Sequence, residues 1–122
     1  MKTFSFEKLD IWKISVDFIL ELYQVTEDFP DTEKYGLVSQ LRRASVSIAS
    51  NIAEGSSRNS AKDQARFYNI AYSSALEVLN LLIISNRLKI LKDNNYKFLR
   101  PELERITHMI NRLHKATNKT KN

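Results

Sequence analysis

The chain has no cysteine, two glycines and two prolines among its 122 residues. Without cysteine there is no disulfide framework, no thiolate metal site and no cysteine nucleophile. So little Gly and Pro leaves almost no turn chemistry to punctuate many strands, and the elements must be few and long. Long apolar runs are scarce too. The longest uninterrupted one is Leu81 to Ile84, far below the roughly 20 residues that span a bilayer. The N-terminus, MKTFSFEKLD, turns acidic at Glu7 and lacks the apolar run and small-residue cleavage site of a secretory signal. These absences predict one domain over residues 1–122, soluble and cytoplasmic, that does not engage a membrane.

What is present is helical periodicity. With 43% apolar and 27% charged residues the chain is ordinary for a globular protein. Leu9, Trp12, Val16, Ile19 and Tyr23 recur at spacings of three and four, with Ile11, Phe18 and Leu22 widening the stripe, which predicts a first helix over about 7–27. Phe29-Pro30 stops it. Thr32 then stands where a cap would, with Glu33 near the positive end of the helix dipole, so a second helix is expected over 32–54, closed by Gly55 as a left-handed C′ residue. Ser60 caps a third, over 61–91, with Asp63 in the place of the usual capping-box Glu. Its apolar residues form two seams, Ala65, Tyr68, Tyr72, Ala75, Leu79 and Leu82 beside Phe67, Ala71, Val78 and Leu81, so it should be buried on more than one side. Leu99, Leu103, Ile106, Ile110 and Leu113 mark a fourth, over 94–115. Pro101 leaves two readings of it: a regular start near Pro101, or a longer helix kinked there. After Lys115 the periodicity ends and fraying is expected. Four helices with short connections predict an all-α, antiparallel up-down-up-down four-helix bundle.

Helix two carries a second pattern. Leu37, Leu41, Ala44, Ile48 and Ile52 form its apolar face, while Gln40, Arg43, Ser47, Asn51 and Glu54 recur at the same spacings on a neighbouring one. An ordinary solvated face would be filled with Lys and Glu; Gln, Arg, Ser and Asn want specific hydrogen-bond partners. The stripe therefore either anchors the helix within its own bundle or meets a second subunit or ligand. Arg43 is expected to pair with Glu54 or Glu77 as part of this structural or interface stripe.

Catalytic patterns are missing. A di-iron bundle needs two Glu-x-x-His motifs and two further Glu, and neither motif is present. His108 and His114 are six residues apart on one helix and point to different faces, so no metal site is expected. The many serines lack a Gly-x-Ser-x-Gly elbow or a paired base, and there is no phosphate loop or dinucleotide fingerprint. No enzymatic activity and no cofactor are expected.

Charge is unevenly distributed. Residues 1–36 carry four Lys against eight Asp and Glu, a net −4, and residues 37–122 carry fifteen Lys and Arg against six Asp and Glu, a net +9. Arg42, Arg58, Lys62 and Arg66 gather around the connection between helices two and three; Arg87, Lys89 and Lys92 lie at the far end of helix three, and helix four adds Arg105 and Arg112. Singly, such residues are solvated charges. Together they are candidates for nucleic-acid phosphates, without a base-reading module that would confer sequence specificity.

The segment FPDTEKYGLVSQLRRASVSIASNIAEGSSRNSAKD, with LDIWK before it and AYSSALE after it, resembles the four-helix-bundle proteins encoded in intervening sequences of bacterial 23S ribosomal RNA genes, the S23 family. The most specific part is Gln40-Leu-Arg-Arg-Ala44 with Ser47-x-x-x-Asn51-Ile-Ala-Glu-Gly55, and the resemblance runs from about Leu9 to Leu113. It implies a left-handed up-and-down bundle assembled as a homopentamer, with no established enzymatic activity. The chain is also similar to accessory variability determinant proteins of diversity-generating retroelements, which implies nucleic acid, and alternatively an acidic protein such as a reverse transcriptase, as partners. Where relatives carry Ala-x-Gly-Ser on helix three, this chain has Ala71-Tyr-Ser73-Ser74, which implies a slightly looser helix contact at Ser73.

Overall fold

The structure is a computed structural model describing residues 1–120. Four helices dominate: α1 (Asp10–Glu27), α2 (Ser39–Ser56), α3 (Ala61–Arg87) and α4 (Asp93–Thr120), and among the described residues there is no strand. Each helix packs against its chain neighbours, α2 most extensively against α3, and α1 closes the ring on α4. With short connections this is the antiparallel up-down-up-down bundle expected from the apolar stripes.

The helix starts differ from expectation in two places. Before α1, Ser5–Lys8 forms a single 3-10 turn, and Leu9 is extended, so the regular helix begins only at Asp10. The Glu7 carboxylate accepts from the Phe4 N–H at 2.8 Å and closes that turn on itself. Thr32 does not cap α2. The chain makes a 3-10 turn at Asp31–Glu33, a π-type turn over Lys34–Val38 broken at Gly36 (φ −107°, ψ −108°), and enters the α-helix at Ser39. The Glu33 side chain, accepting from the Leu37 N–H at 3.3 Å, supplies the acceptor that Thr32 was expected to offer.

The helix ends also shift. Gly55 lies inside α2, and no glycine has positive φ, so it is not a C′ residue; its role is close packing. α3 stops at Arg87, four residues early, where Lys89 takes the left-handed conformation (φ 62°) that a Gly usually supplies. The Ile90 N–H reaches the Ser85 carbonyl at 3.0 Å and the Lys89 N–H the Asn86 carbonyl at 2.9 Å, the paired bonds of a Schellman closure. Ser60 caps α3 as expected, its hydroxyl accepting from the Asp63 N–H at 3.1 Å. α4 is one helix running through the exposed Pro101. Where fraying is expected after Lys115, the helix continues to Thr120, with Thr117 buried and donating to the Leu113 carbonyl at 3.0 Å; the rest of that stretch, 121–122, lies outside the described residues.

The core joins Leu22 of α1, Leu41, Ile48 and Ile52 of α2, Ala71, Ala75, Val78 and Leu82 of α3, and Leu99, Leu103, Ile106 and Ile110 of α4. In α1 the buried line is Ile11, Ser15, Phe18, Leu22 and Thr26. The expected stripe of Leu9, Trp12, Val16 and Ile19 is only half-buried, and Tyr23 is exposed. α3 is long and apolar enough to cross a membrane by length and composition, a test that the core helix of a water-soluble bundle also passes. Its two flanks pack on α2 and α4, while Ile70, Leu76 and Ile84 remain exposed.

Candidate functional site

The polar stripe of α2 divides. Its middle turns inward: the Ser47 and Ser74 hydroxyls are 2.8 Å apart across α2 and α3, and Asn51 Nδ2 donates to the Ser47 carbonyl and hydroxyl at 2.8 and 3.0 Å. Ser74, not Ser73, therefore makes the small-residue contact with α2, and Ser73 is exposed. Gln40, Arg43 and Glu54 face outward, as does Glu77 on α3. Arg43 pairs with neither expected carboxylate. Glu54 is held by Arg58 at 2.9 Å, one helical turn away, and Glu77 forms no ion pair among the described residues.

The arginine that ties helices together is its neighbour, Arg42. Its Nη2 lies 2.8 Å from the Glu27 carboxylate, its Nε donates to the Thr26 hydroxyl at 3.0 Å, Nη2 also donates to the Tyr23 carbonyl at 3.2 Å, and the guanidinium lies 4.4 Å from the centre of the Tyr23 ring. Arg42 was expected among the phosphate-binding residues; with its donors directed at α1, it is a clasp between α1 and α2.

The basic residues sort into committed and uncommitted. Arg58 and Arg66 pair with Glu54 and Asp63, and both guanidinium groups lie against Phe67, at 4.5 and 5.0 Å from its ring centre. Arg100 donates to the Tyr96 hydroxyl and stands 3.7 Å from Glu104; the Tyr96 hydrogen bond first, then these charges, raise its pKa further. By contrast Lys62, Arg87, Lys89, Lys92, Arg105 and Arg112 are exposed and form no ion pair among the described residues. Arg87, Lys89 and Lys92 surround a depression at the α3–α4 turn, beside Asp93, whose carboxylate accepts from Asn86 at 2.8 Å.

Arg105 and Arg112 sit elsewhere, on the outer side of α4 above its packing line against α1. With Lys13, Asp10 and Ile14 of α1 and His108 and Met109 of α4 they line a groove of about 510 Å³. Residue spacing had identified the two arginines but not Lys13, His108 or the groove between the helices. The missing signal was the contact of α1 with α4, which joins sequence segments some ninety residues apart. Among the described residues no three His, Asp or Glu side chains are placed to hold a metal ion.

The family model of the 23S rRNA-intervening sequence protein matches residues 7–112. A solved structure from Bacteroides thetaiotaomicron, a protein of unknown function from the S23 ribosomal protein family, superimposes with a TM-score of 0.76 at 22% identity, covering 86% of this chain and 98% of that one. At that identity the likeness concerns the fold. No curated protein matches the chain. The family match takes in α1, α2, α3 and most of α4, the groove residues Lys13, Arg105 and Arg112 included, and the chain belongs to the 23S rRNA-intervening sequence protein family.

Proposed function

We propose that the protein is a non-enzymatic, oligomeric nucleic-acid-binding protein that holds phosphates without reading sequence. The state of its cations supports this reading. Arg42, Arg58, Arg66 and Arg100 are engaged in ion pairs, whereas Arg87, Lys89 and Lys92 at the α3–α4 turn and Arg105 and Arg112 on α4 are exposed and form none among the described residues. Exposed Lys and Arg bind polyanions by releasing condensed counterions, with affinity that falls as salt rises. Phosphate contacts fix position and carry no base information. The nucleic acid we assign is RNA or an RNA–DNA hybrid, which is what the resemblance read in the sequence to accessory variability determinant proteins implies.

Self-assembly, as a homopentamer, fits the outward Gln40 and Arg43 of α2, which form no ion pair among the described residues, together with the exposed Ile70 and Ile84 of α3. Apolar side chains of this size beside unpaired polar groups are common in subunit contacts. The polar stripe together with the basic surface favours a second reading, a scaffold docking an acidic protein such as a reverse transcriptase. Titrating two unrelated RNAs of equal length at several salt concentrations separates the two. Nucleic-acid binding predicts affinity that weakens steeply with salt and differs less than about tenfold, or 1.4 kcal/mol, between sequences. No binding at low salt transfers the assignment to the scaffold. Multi-angle light scattering tests assembly, and a mass near the 14.2 kDa of one chain would overturn it.

A further inference from the structure

We propose that the outer strip of α4, with its groove against α1, is a track for single-stranded nucleic acid, in which Arg105, Arg112 and Lys13 hold phosphates and Phe98 stacks a base. This rests on the nucleic-acid reading above and adds the surface and the strand state. Phe98, Arg105 and Arg112 are each seven residues apart on one uninterrupted helix. Seven residues is close to two full turns, so the three side chains fall on one line about 21 Å long at ~1.5 Å per residue.

The two arginines are exposed, and neither forms an ion pair among the described residues. Glu104, the acid beside Arg105 in sequence, is turned to Arg100 at 3.7 Å. Lys13 enters the groove from α1, and His108 lies between the arginines along α4. Asp10 is the one carboxylate lining the groove, and it opposes a phosphate beside Lys13, so the arginines make the stronger contacts. Their planar guanidinium forks match phosphate geometry better than a lysine ammonium does.

Phe98 assigns the strand state. Phe98 is 53% exposed, and no other ring or cation among the described residues stacks on it, so its face is open to a base. An exposed ring beside phosphate-binding cations is the arrangement by which proteins take unpaired bases without sequence preference. A duplex keeps its bases stacked inside and presents only backbone to such a strip. Other aromatics among the basic residues are already engaged, Phe67 by Arg58 and Arg66 and Tyr96 by Arg100.

The test is fluorescence anisotropy of the full chain with a labelled oligouridine strand and an RNA duplex of equal length, across several salt concentrations. The wild-type protein should bind the single strand more tightly. Arg105→Ala with Arg112→Ala should lose about tenfold or more at low salt, and the slope of log affinity against log salt should fall by about 1.4, that is ~0.7 per phosphate contact on a single strand. Phe98→Ala should lose about fivefold on the single strand with its salt slope and duplex affinity unchanged. Arg58→Ala, off the track, should bind as wild type. All these side chains are exposed, and circular-dichroism melts matching wild type verify the fold. If wild type binds while the Arg105/Arg112 variant or Phe98→Ala binds equally well, the track is wrong and the nucleic-acid reading stands. A preference for duplex overturns the strand assignment. No binding of wild type to either probe at low salt overturns both.

Discussion

The ring of Tyr68 occupies the space that a side chain at position 55 would need: a Cβ built on Gly55 would stand 2.5 Å from Tyr68 Cε1 and 2.9 Å from Cδ1. Gly55 and Tyr68 are both buried where the end of α2 meets the start of α3. The contact is too short for any real Cβ, so Gly55→Ala must move a buried ring or spread the two helices. Overpacking of this kind costs about 1–3 kcal/mol. Urea unfolding at fixed protein concentration should show the midpoint falling accordingly; an unchanged midpoint would mean that Gly55 is not a packing residue.

Arg42 and Arg43 are adjacent and should behave oppositely. Arg42→Ala removes an ion pair, hydrogen bonds to Thr26 and Tyr23, and the stack on the Tyr23 ring. Its side chain is 26% exposed and Glu27 is 74% exposed, so the ion pair itself is screened. With modest hydrogen-bond and cation–π contributions added, the loss should be about 2 kcal/mol. Arg43→Ala, at an exposed and unpaired position, should change the stability of the protomer by less than ~0.5 kcal/mol. Thermal melts of both variants, run with light scattering to establish that each has the same assembly state as wild type, decide it, and an effect of Arg43→Ala equal to that of Arg42→Ala at unchanged assembly would count against the assignment.

At the α3–α4 turn the left-handed residue is Lys89, with φ 62°. A side chain in this conformation costs roughly 1 kcal/mol, and glycine removes that cost. The closing bonds are all main-chain, from Lys89 to Asn86 and from Ile90 to Ser85, and survive the change. Lys89→Gly should therefore raise the unfolding free energy by up to about 1 kcal/mol, read from denaturant melts. A loss of stability would show that the Lys89 side chain contributes more than its backbone strain costs.

Two buried hydroxyls, on Ser15 of α1 and Ser85 of α3, have no hydrogen-bond partner among the described residues. An unsatisfied buried polar group costs about 1–3 kcal/mol relative to one left in water. Ser15→Ala and Ser85→Ala remove the hydroxyl and almost no volume, so each should stabilise the fold, by about 1 kcal/mol. The main-chain carbonyl of Ser85, which accepts from Ile90 and Leu91, is untouched. Calorimetric melting temperatures below wild type for both variants would contradict the reading.

How much was legible in the sequence follows from the same residues. The apolar positions of α2 and α4 repeat cleanly, and Leu41, Ala44, Ile48 and Ile52, like Leu99, Leu103, Ile106 and Ile110, are buried as read. In α1 the core line contains Ser15 and Thr26, which a hydrophobicity pattern passes over, so the buried Ile11, Phe18 and Leu22 read only as the widening of a stripe centred one position away. Gly55 looked like a helix terminator because nothing local says that the Tyr68 ring needs its space. Lys89 could not be read as left-handed, since lysine carries no such preference. The misassigned arginine has the same origin: Arg42 and Arg43 differ by 100° around the helix, and only the position of α1 tells which one reaches Glu27. Spacing alone picked out Arg105 and Arg112; the groove beside them needed α1 brought against α4.

Tyr68 also makes stability depend on alkaline pH. Burial raises its pKa above the ordinary 10.0, because the phenolate would lose hydration beside Gly55 and the core. In the unfolded chain the phenol ionises near 10.0, while in the folded chain it stays neutral to higher pH. Its contribution is fully present below pH 10 and is lost as pH rises from there through the folded value, since the unfolded state gives up the proton first. Urea midpoints measured from pH 8 to above 10 should be flat at first and then fall. Tyr68→Phe removes the titrating group and keeps the ring, so its midpoint should fall less over the same alkaline range. An alkaline limb identical in wild type and variant would place the loss in another group and sever the link between the buried ring and the pH dependence.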